Sequence, residues 1–144
     1  MRLLSVTATA AILLSLGTAT AAAQPDPSDS PRQAVARTYL DALVSHDAGA
    51  VPFAPNATRI EMGVQTGFSG PGMAAELDHG PLQRAIQGIR NVTLVETGDV
   101  VTAHYLLDAG LVGVRLATVS ITETFVIPDG TIHFIEATIV PVAG

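Results

Sequence analysis

The segment Val114–Ile127, VRLATVSITETFVI, most constrains how this chain can fold. Its residues alternate with the period of two that a pleated strand imposes. Arg115, Ala117, Val119, Ile121, Glu123, Phe125 and Ile127 share one face, and Thr118, Ser120, Thr122 and Thr124 share the other. The first set is the apolar face, so Arg115 and Glu123 point where a core should be. Burying either charge unpaired is expensive. They are separated by roughly 26 Å along a straight strand, so they cannot pair with each other. Each needs another partner or a place at the sheet's end. For Glu123 the candidate partners are Arg59 and Arg90. Pro128-Asp129-Gly130 follows as a strong hairpin turn, and Thr131–Pro141 closes the sheet.

The rest of the chain sorts into helices first and strands last. Ser30 is a good N-cap with Pro31 at the first helical position, and Val35, Tyr39, Ala42 and Leu43 recur at helical spacing to about Ser45. His46-Asp47 and Gly49 end that helix, and Ala50–Ala54 reads as a further short turn. Thr58–Met62 reads as a strand with Ile60 and Met62 on one face and Arg59 and Glu61 on the other. Gly63–Gly70 reads as a loop. Ser69 caps a second helix lined by Met73 and Leu77, which Gly80-Pro81 must break, with a further helical piece over Leu82–Ile89. Asn91–Thr97 and Val100–Leu107 are strands around a Gly98-Asp99 turn, and Gly110–Gly113 is a loop. This order predicts an α+β domain with a mostly antiparallel sheet.

The first 23 residues stand apart. Arg2 supplies a positive start, Leu3–Ala19 is apolar and small, and Ala21-Ala22-Ala23 fits a small-x-small cleavage pattern. The expected organisation is a signal peptide over 1–23, a disordered Pro/Asp/Ser linker over 24–31 and one domain over 32–144. The expected localisation is therefore secreted or cell-envelope, with no membrane span after cleavage. No cysteine is present, so packing alone must hold an exported domain together. The formal charge is -6, and all seven basic residues are Arg. Such a chain lacks the basic footprint of a nucleic-acid binder.

The motifs Tyr39-Leu-Asp-Ala-Leu43 with His46-Asp47, Asn56-Ala-Thr-Arg-Ile-Glu61, Glu123-Thr-Phe-Val-Ile-Pro-Asp-Gly-Thr-Ile132 and His133-Phe-Ile-Glu136, taken in this order, carry a resemblance. From Ala34 to Val142 the chain resembles the NTF2-like superfamily, the cone of curved sheet wrapped by helices shared by SnoaL-like cyclases and ketosteroid isomerases. Ketosteroid isomerase uses a carboxylate base with a tyrosine and a protonated acid as oxyanion donors. The resemblance implies Tyr39 as the tyrosine donor, Glu61 near the base and Glu123 near the acidic donor. Both carboxylates here are Glu where the resemblance has Asp.

The candidate catalytic residues are therefore Glu61, Glu123 and Tyr39, and the candidate ligand-binding residues are Arg115, Val119, Ile121, Phe125 and Glu136. Glu136 enters because it aligns with Ile132 and Phe134. The four histidines are scattered, with no metal-binding spacing, so no metal or other cofactor is expected. Three readings stand. The first is an exported module binding a small, mostly apolar molecule in its cone. The second is an acid–base isomerase, cyclase or hydratase in that cone. The third is a scaffold or homodimer whose cone is filled with side chains. N-terminal sequencing of exported protein is expected to begin at or near Gln24; an intact Met1 species embedded in membrane would refute the leader assignment.

Overall fold

The computed structural model describes residues 26–143. The expected leader lies outside the described residues. Helix α1 runs Pro31–Ser45 and helix α2 runs Gly70–His79. The strands are β1 (Phe53–Glu61), β2 (Val64–Gly67), β3 (Ile86–Thr97), β4 (Val100–Leu111), β5 (Val114–Val126) and β6 (Ile132–Pro141). They form one six-stranded sheet in the order β2-β1-β6-β5-β4-β3. Only β1 and β6 run parallel. The architecture is the expected α+β cone: a curved sheet with helices on its inner face.

Both helices begin as their caps dictate. The Ser30 side chain accepts from the Gln33 N–H while Gln33 returns a bond to the Ser30 backbone, a reciprocal capping box. At α2 the Ser69 side chain accepts from the Gly72 N–H. Ser30 also bonds Glu96, and Arg32 pairs with that carboxylate at 2.5 Å and bonds the Ile127 carbonyl at 2.7 Å. The start of α1 is thus pinned across the strand ends. Ala36, Tyr39, Leu40 and Leu43 bury one stripe of α1 against β3 and β4.

Within the expected linker, Asp26–Asp29 forms a turn and Asp29 is paired with Arg37. Four local expectations need correction. The turn after α1 falls at Ala48–Val51, and the chain is already extended at Phe53. Pairing with β6 then skips from Phe53 to Thr58, since Pro55 has no N–H to donate. Part of the expected Gly63–Gly70 loop is strand β2, which Gly67 allows to pack closely: a Cβ there would meet Arg59 Cβ at 2.8 Å and Met73 Sδ at 2.4 Å. The expected helical piece over Leu82–Ile89 is a single turn, Gln83–Ala85, before β3 begins. Finally, Gly110 and Leu111 continue β4, and only Val112-Gly113 turn.

Burial falls steadily along the inner face. On β5, Phe125 and Glu123 are buried, Ile121 slightly less so, Val119 half-buried and Ala117 exposed. Val101, Ala103, Tyr105, Leu107 and Ala109 on β4 follow the same gradient, as do Ile135, Ala137 and Ile139 on β6. Side-chain exposure on the inner face thus rises from the Phe125 end toward Ala109, Val119 and Ile139. Phe125→Ala is expected to cost about 3–5 kcal/mol, the range for truncating a buried aromatic. Thr122→Ala on the outer face should cost much less, as urea denaturation of both variants would show; equal, small losses would mean the facing is reversed.

Candidate functional site

The inner face carries one polar chain of side chains. Arg59 projects inward from β1 and is only 1% exposed. Its Nε donates to Thr66 Oγ1 at 3.0 Å, its Nη1 to the Tyr39 hydroxyl at 3.2 Å and its Nη2 to Glu76 Oε1 at 2.7 Å. Glu61 Oε2 lies 3.5 Å from Nε. Gln83 also donates to Glu76, at 3.0 Å. The guanidinium stays charged in any environment, and these partners offset its desolvation.

Glu123 lies on β5, 2% exposed, and accepts from the Tyr105 hydroxyl at 2.7 Å. Burial pushes its carboxyl up to about 7. The Tyr105 hydrogen bond opposes that rise; the charge of Glu61 adds to it; Arg59 and the Tyr39 hydroxyl favour the ionised form. Burial likewise raises both phenols, Tyr39 and Tyr105, with the Glu123 charge as the next cause. They are proton donors throughout the neutral range. Tyr39 is held edge-on by Phe125 and Phe53, with ring centroids 5.2 and 6.1 Å away. Arg59 donating into the Tyr39 oxygen leaves that hydroxyl's own proton free for another acceptor. The result is a run from Arg59 through Tyr39 to Glu123 and Tyr105. Its acid is poised near neutrality, and its outer carboxylates, Glu61 and Glu76, are each about one-third exposed.

The structure brings together Tyr39, Glu123 and Glu61, with Phe125 and Ile121 packed in the same cone and Val119 less buried. Two candidates do not join them. Arg115 is 61% exposed and sits 3.8 Å from Asp108. Between Ala109/Ala117 and Gly110/Arg115 the β5 strand carries Leu116 as one extra residue, a bulge that turns Arg115 off the inner face. Gly110 permits this, since a Cβ there would meet the Val114 carbonyl oxygen at 1.8 Å. Glu136 faces outward opposite Thr124. From Phe134 onward the inward residues of β6 are Ile135, Ala137 and Ile139. Ile132 precedes the pairing with β5, so it gave the wrong phase.

Of the two arginines considered for Glu123, Arg90 is on the outer side with Asp108 at 3.1 Å. Arg59 influences Glu123 but spends its hydrogen bonds on Tyr39, Thr66 and Glu76. Tyr105 was missed. Its signal was present: it shares parity with Val101, Ala103 and Leu107 in the β4 run. Glu76 carries no such signal, because only the packing of α2 on β1 brings it to Arg59.

A curved, mostly antiparallel six-stranded sheet with two helices packed on its inner face has the NTF2-like fold. Solved structures of similar fold include an LEH-like epoxide hydrolase of M. tuberculosis, with 14% identity over 78% of this chain and 85% of that one and a TM-score of 0.64. A candidate ketosteroid isomerase of Kribbella flavida matches at 15% identity over 79% and 81%, with a TM-score of 0.61. An NTF2-like protein of unknown function from Cytophaga hutchinsonii matches at 12% identity over 79% and 94%, with a TM-score of 0.59. At such identities the likeness is one of fold alone. No curated protein matches the sequence. The chain belongs to the family described as Domain of unknown function (DUF8021), whose model matches residues 26–139.

The raised Glu123 carboxyl has a consequence for stability. Between the ordinary carboxyl value of 4.5 and about 7, the folded chain holds a proton on Glu123 that the unfolded chain has released. Folding stability from this group is therefore full below 4.5 and falls as pH rises through the window, by on the order of 3 kcal/mol, then stays flat. Denaturation of the protein and of Glu123→Gln at pH 4.5, 6 and 8 is expected to show this decline in the difference between them. Parallel pH profiles would refute a buried, proton-bearing Glu123.

Proposed function

We propose that the protein is an exported module that holds a small, mostly apolar molecule in its cone. A single polar group of that molecule would rest against Glu123, Tyr105 and Tyr39. One observation carries this reading: a buried carboxyl at about 7, flanked by two phenols, on a wall otherwise built of Val, Ala, Ile and Phe. A lone polar cluster in an apolar cone is how small-ligand sites fix orientation. Near neutrality the carboxyl can donate to a carbonyl or accept from a hydroxyl. Val119, Ile139 and Ala109, half-buried on the inner face, would contact the apolar body of the ligand. The export part of the proposal rests on Leu3–Ala19 and the Ala21-x-Ala23 end.

The same observation favours a second reading, acid–base catalysis. A general acid works best when its pKa lies near the operating pH, and Glu123 meets that condition with Glu61 as a second carboxylate by Arg59. In that reading the ligand is a substrate whose proton moves between the two carboxyls, as in isomerisation, cyclisation or hydration.

Binding of 2-naphthol, an aromatic hydroxyl whose fluorescence reports its hydrogen bonding, tests the first reading. One site per chain is expected. Glu123→Gln and Tyr39→Phe should each weaken it by about fivefold to tenfold, the value of one hydrogen bond. Absence of binding, or equal affinity in all three proteins, would overturn the proposal.

A further inference from the structure

The chain contains two asparagines, and each heads an Asn-x-Thr triplet: Asn56-Ala57-Thr58 and Asn91-Val92-Thr93. Fifteen of the 144 residues are threonine. At that frequency, chance places a threonine two positions after both asparagines on the order of once in a hundred such chains. The middle residues are Ala and Val, not the proline that would disqualify the triplet. Asn-x-Thr is the acceptor sequence for N-linked glycosylation.

The fold treats the two triplets alike. Both asparagines are exposed, while the middle residue of each packs inward: Ala57 is buried in a cluster with Met73, and Val92 packs against the main core. Both asparagines also sit where the sheet ladder is interrupted. On β1 the pairing with β6 passes from Phe53 to Thr58, which leaves Asn56 without an opposite residue. On β3 the pairing with β4 passes from Arg90 to Thr93, so Asn91 and Val92 oppose the single residue Tyr105 in a bulge. An exposed side chain at such a break can carry a bulky group without displacing a neighbouring strand.

Backbone geometry alone does not account for the pattern. Asn91 has φ 57°, and asparagine is a residue that tolerates this region. That reason covers neither Asn56, which lies outside the positive-φ set, nor the threonine that follows each asparagine. Other threonines bond within the fold: Thr66 with Arg59, Thr118 with Asp108 and Thr131 with Asp129. Thr93 is exposed and Thr58 half-buried, and among the described residues neither hydroxyl takes such a partner.

We propose that Asn56 and Asn91 are N-glycosylated, an inference that rests on the export proposed above, because the chain must cross a membrane that carries an oligosaccharyltransferase. The amide Nδ2 attacks C1 of the first sugar of a lipid-diphosphate-linked oligosaccharide. The N–C1 bond forms and the C1–O bond breaks. The lipid diphosphate leaves with the electron pair, and the amide gives one proton to a base of the transferase. The threonine hydroxyl is what this chain offers the transferase for recognition. At Asn91 the glycan also protects the sheet. Strand β3 is the last in the sheet order and 12 residues long, with Arg90 and Glu96 as its only charges. Its free edge is a template for pairing with another chain. A glycan rooted midway along it leaves no room for a further strand at the ~4.8 Å spacing that pairing needs.

Protein recovered from its native source is weighed by intact mass spectrometry before and after peptide-N-glycosidase F, and its N-terminus is sequenced. Two glycans per chain are expected. The enzyme should convert both asparagines to aspartate, each about 1 Da heavier. Thr93→Val, made in the same organism, should lose one glycan while keeping Asn91 and its bulge, and Thr93→Ser should retain both. A chain that begins near Gln24 with both asparagines unmodified would overturn the glycosylation and leave export standing. An intact Met1 chain with both unmodified would overturn the two together. A glycan at one asparagine alone would overturn the proposal for the other, and two glycans on Thr93→Val would overturn it for Asn91.

Discussion

The buried guanidinium of Arg59 is the interaction on which the rest of the inner face depends. It touches α1 through Tyr39, β2 through Thr66 and α2 through Glu76, while its own backbone belongs to β1. A cation this deep is tolerated only where nearly all its donors are used, and here they are. The requirement runs both ways. Gly67 must lack a side chain for β2 to come close enough, and α2 must end near Gln83 so that Glu76 is steadied from its far side. Four elements are fixed by one planar fork whose geometry leaves little freedom.

From that fixed point the chemistry of the cone follows. Arg59 polarises the Tyr39 hydroxyl, and Tyr39 shares the buried space of Glu123 with Tyr105. Burial in an apolar wall raises this carboxyl, while the phenols and the distant guanidinium pull it down, leaving it at about 7. The balance between burial and these partners, rather than any one of them, places the group where both of its forms are accessible. The fall in burial beyond Ile121 leaves this polar run on the buried side of the inner face.

Much of this was readable from residue order. The α1 helix begins and ends where Ser30, Pro31 and His46 say it should, because caps act through local backbone geometry. The facing of Glu123, Ile121 and Phe125 followed from strict alternation on one strand. That alternation breaks near the start of the same strand, at Arg115, because a single extra residue at Leu116 inverts everything beyond it. Glu136 failed for a similar reason: Ile132 belongs to the approach to the strand, not to its paired part. Strand β2 was missed because Val64–Gly67 is too short to show a period, and it exists through its pairing with β1.

The sequence by itself determined the class of fold, the capped starts of the two α-helices and the presence of an acid on an apolar strand face, because caps, turns and alternation are local and each residue reports its own geometry. Only the tertiary structure decided which groups meet. Tyr39, Arg59, Glu76, Tyr105 and Glu123 come from five separate elements, and no spacing in the chain encodes their convergence. It is set by the curvature of the sheet, by two glycines that let backbones approach, and by a bulge that removes one arginine from the cone. The proton affinity of Glu123 belongs to that second kind of information, since it depends on how completely the folded chain excludes water from a single side chain.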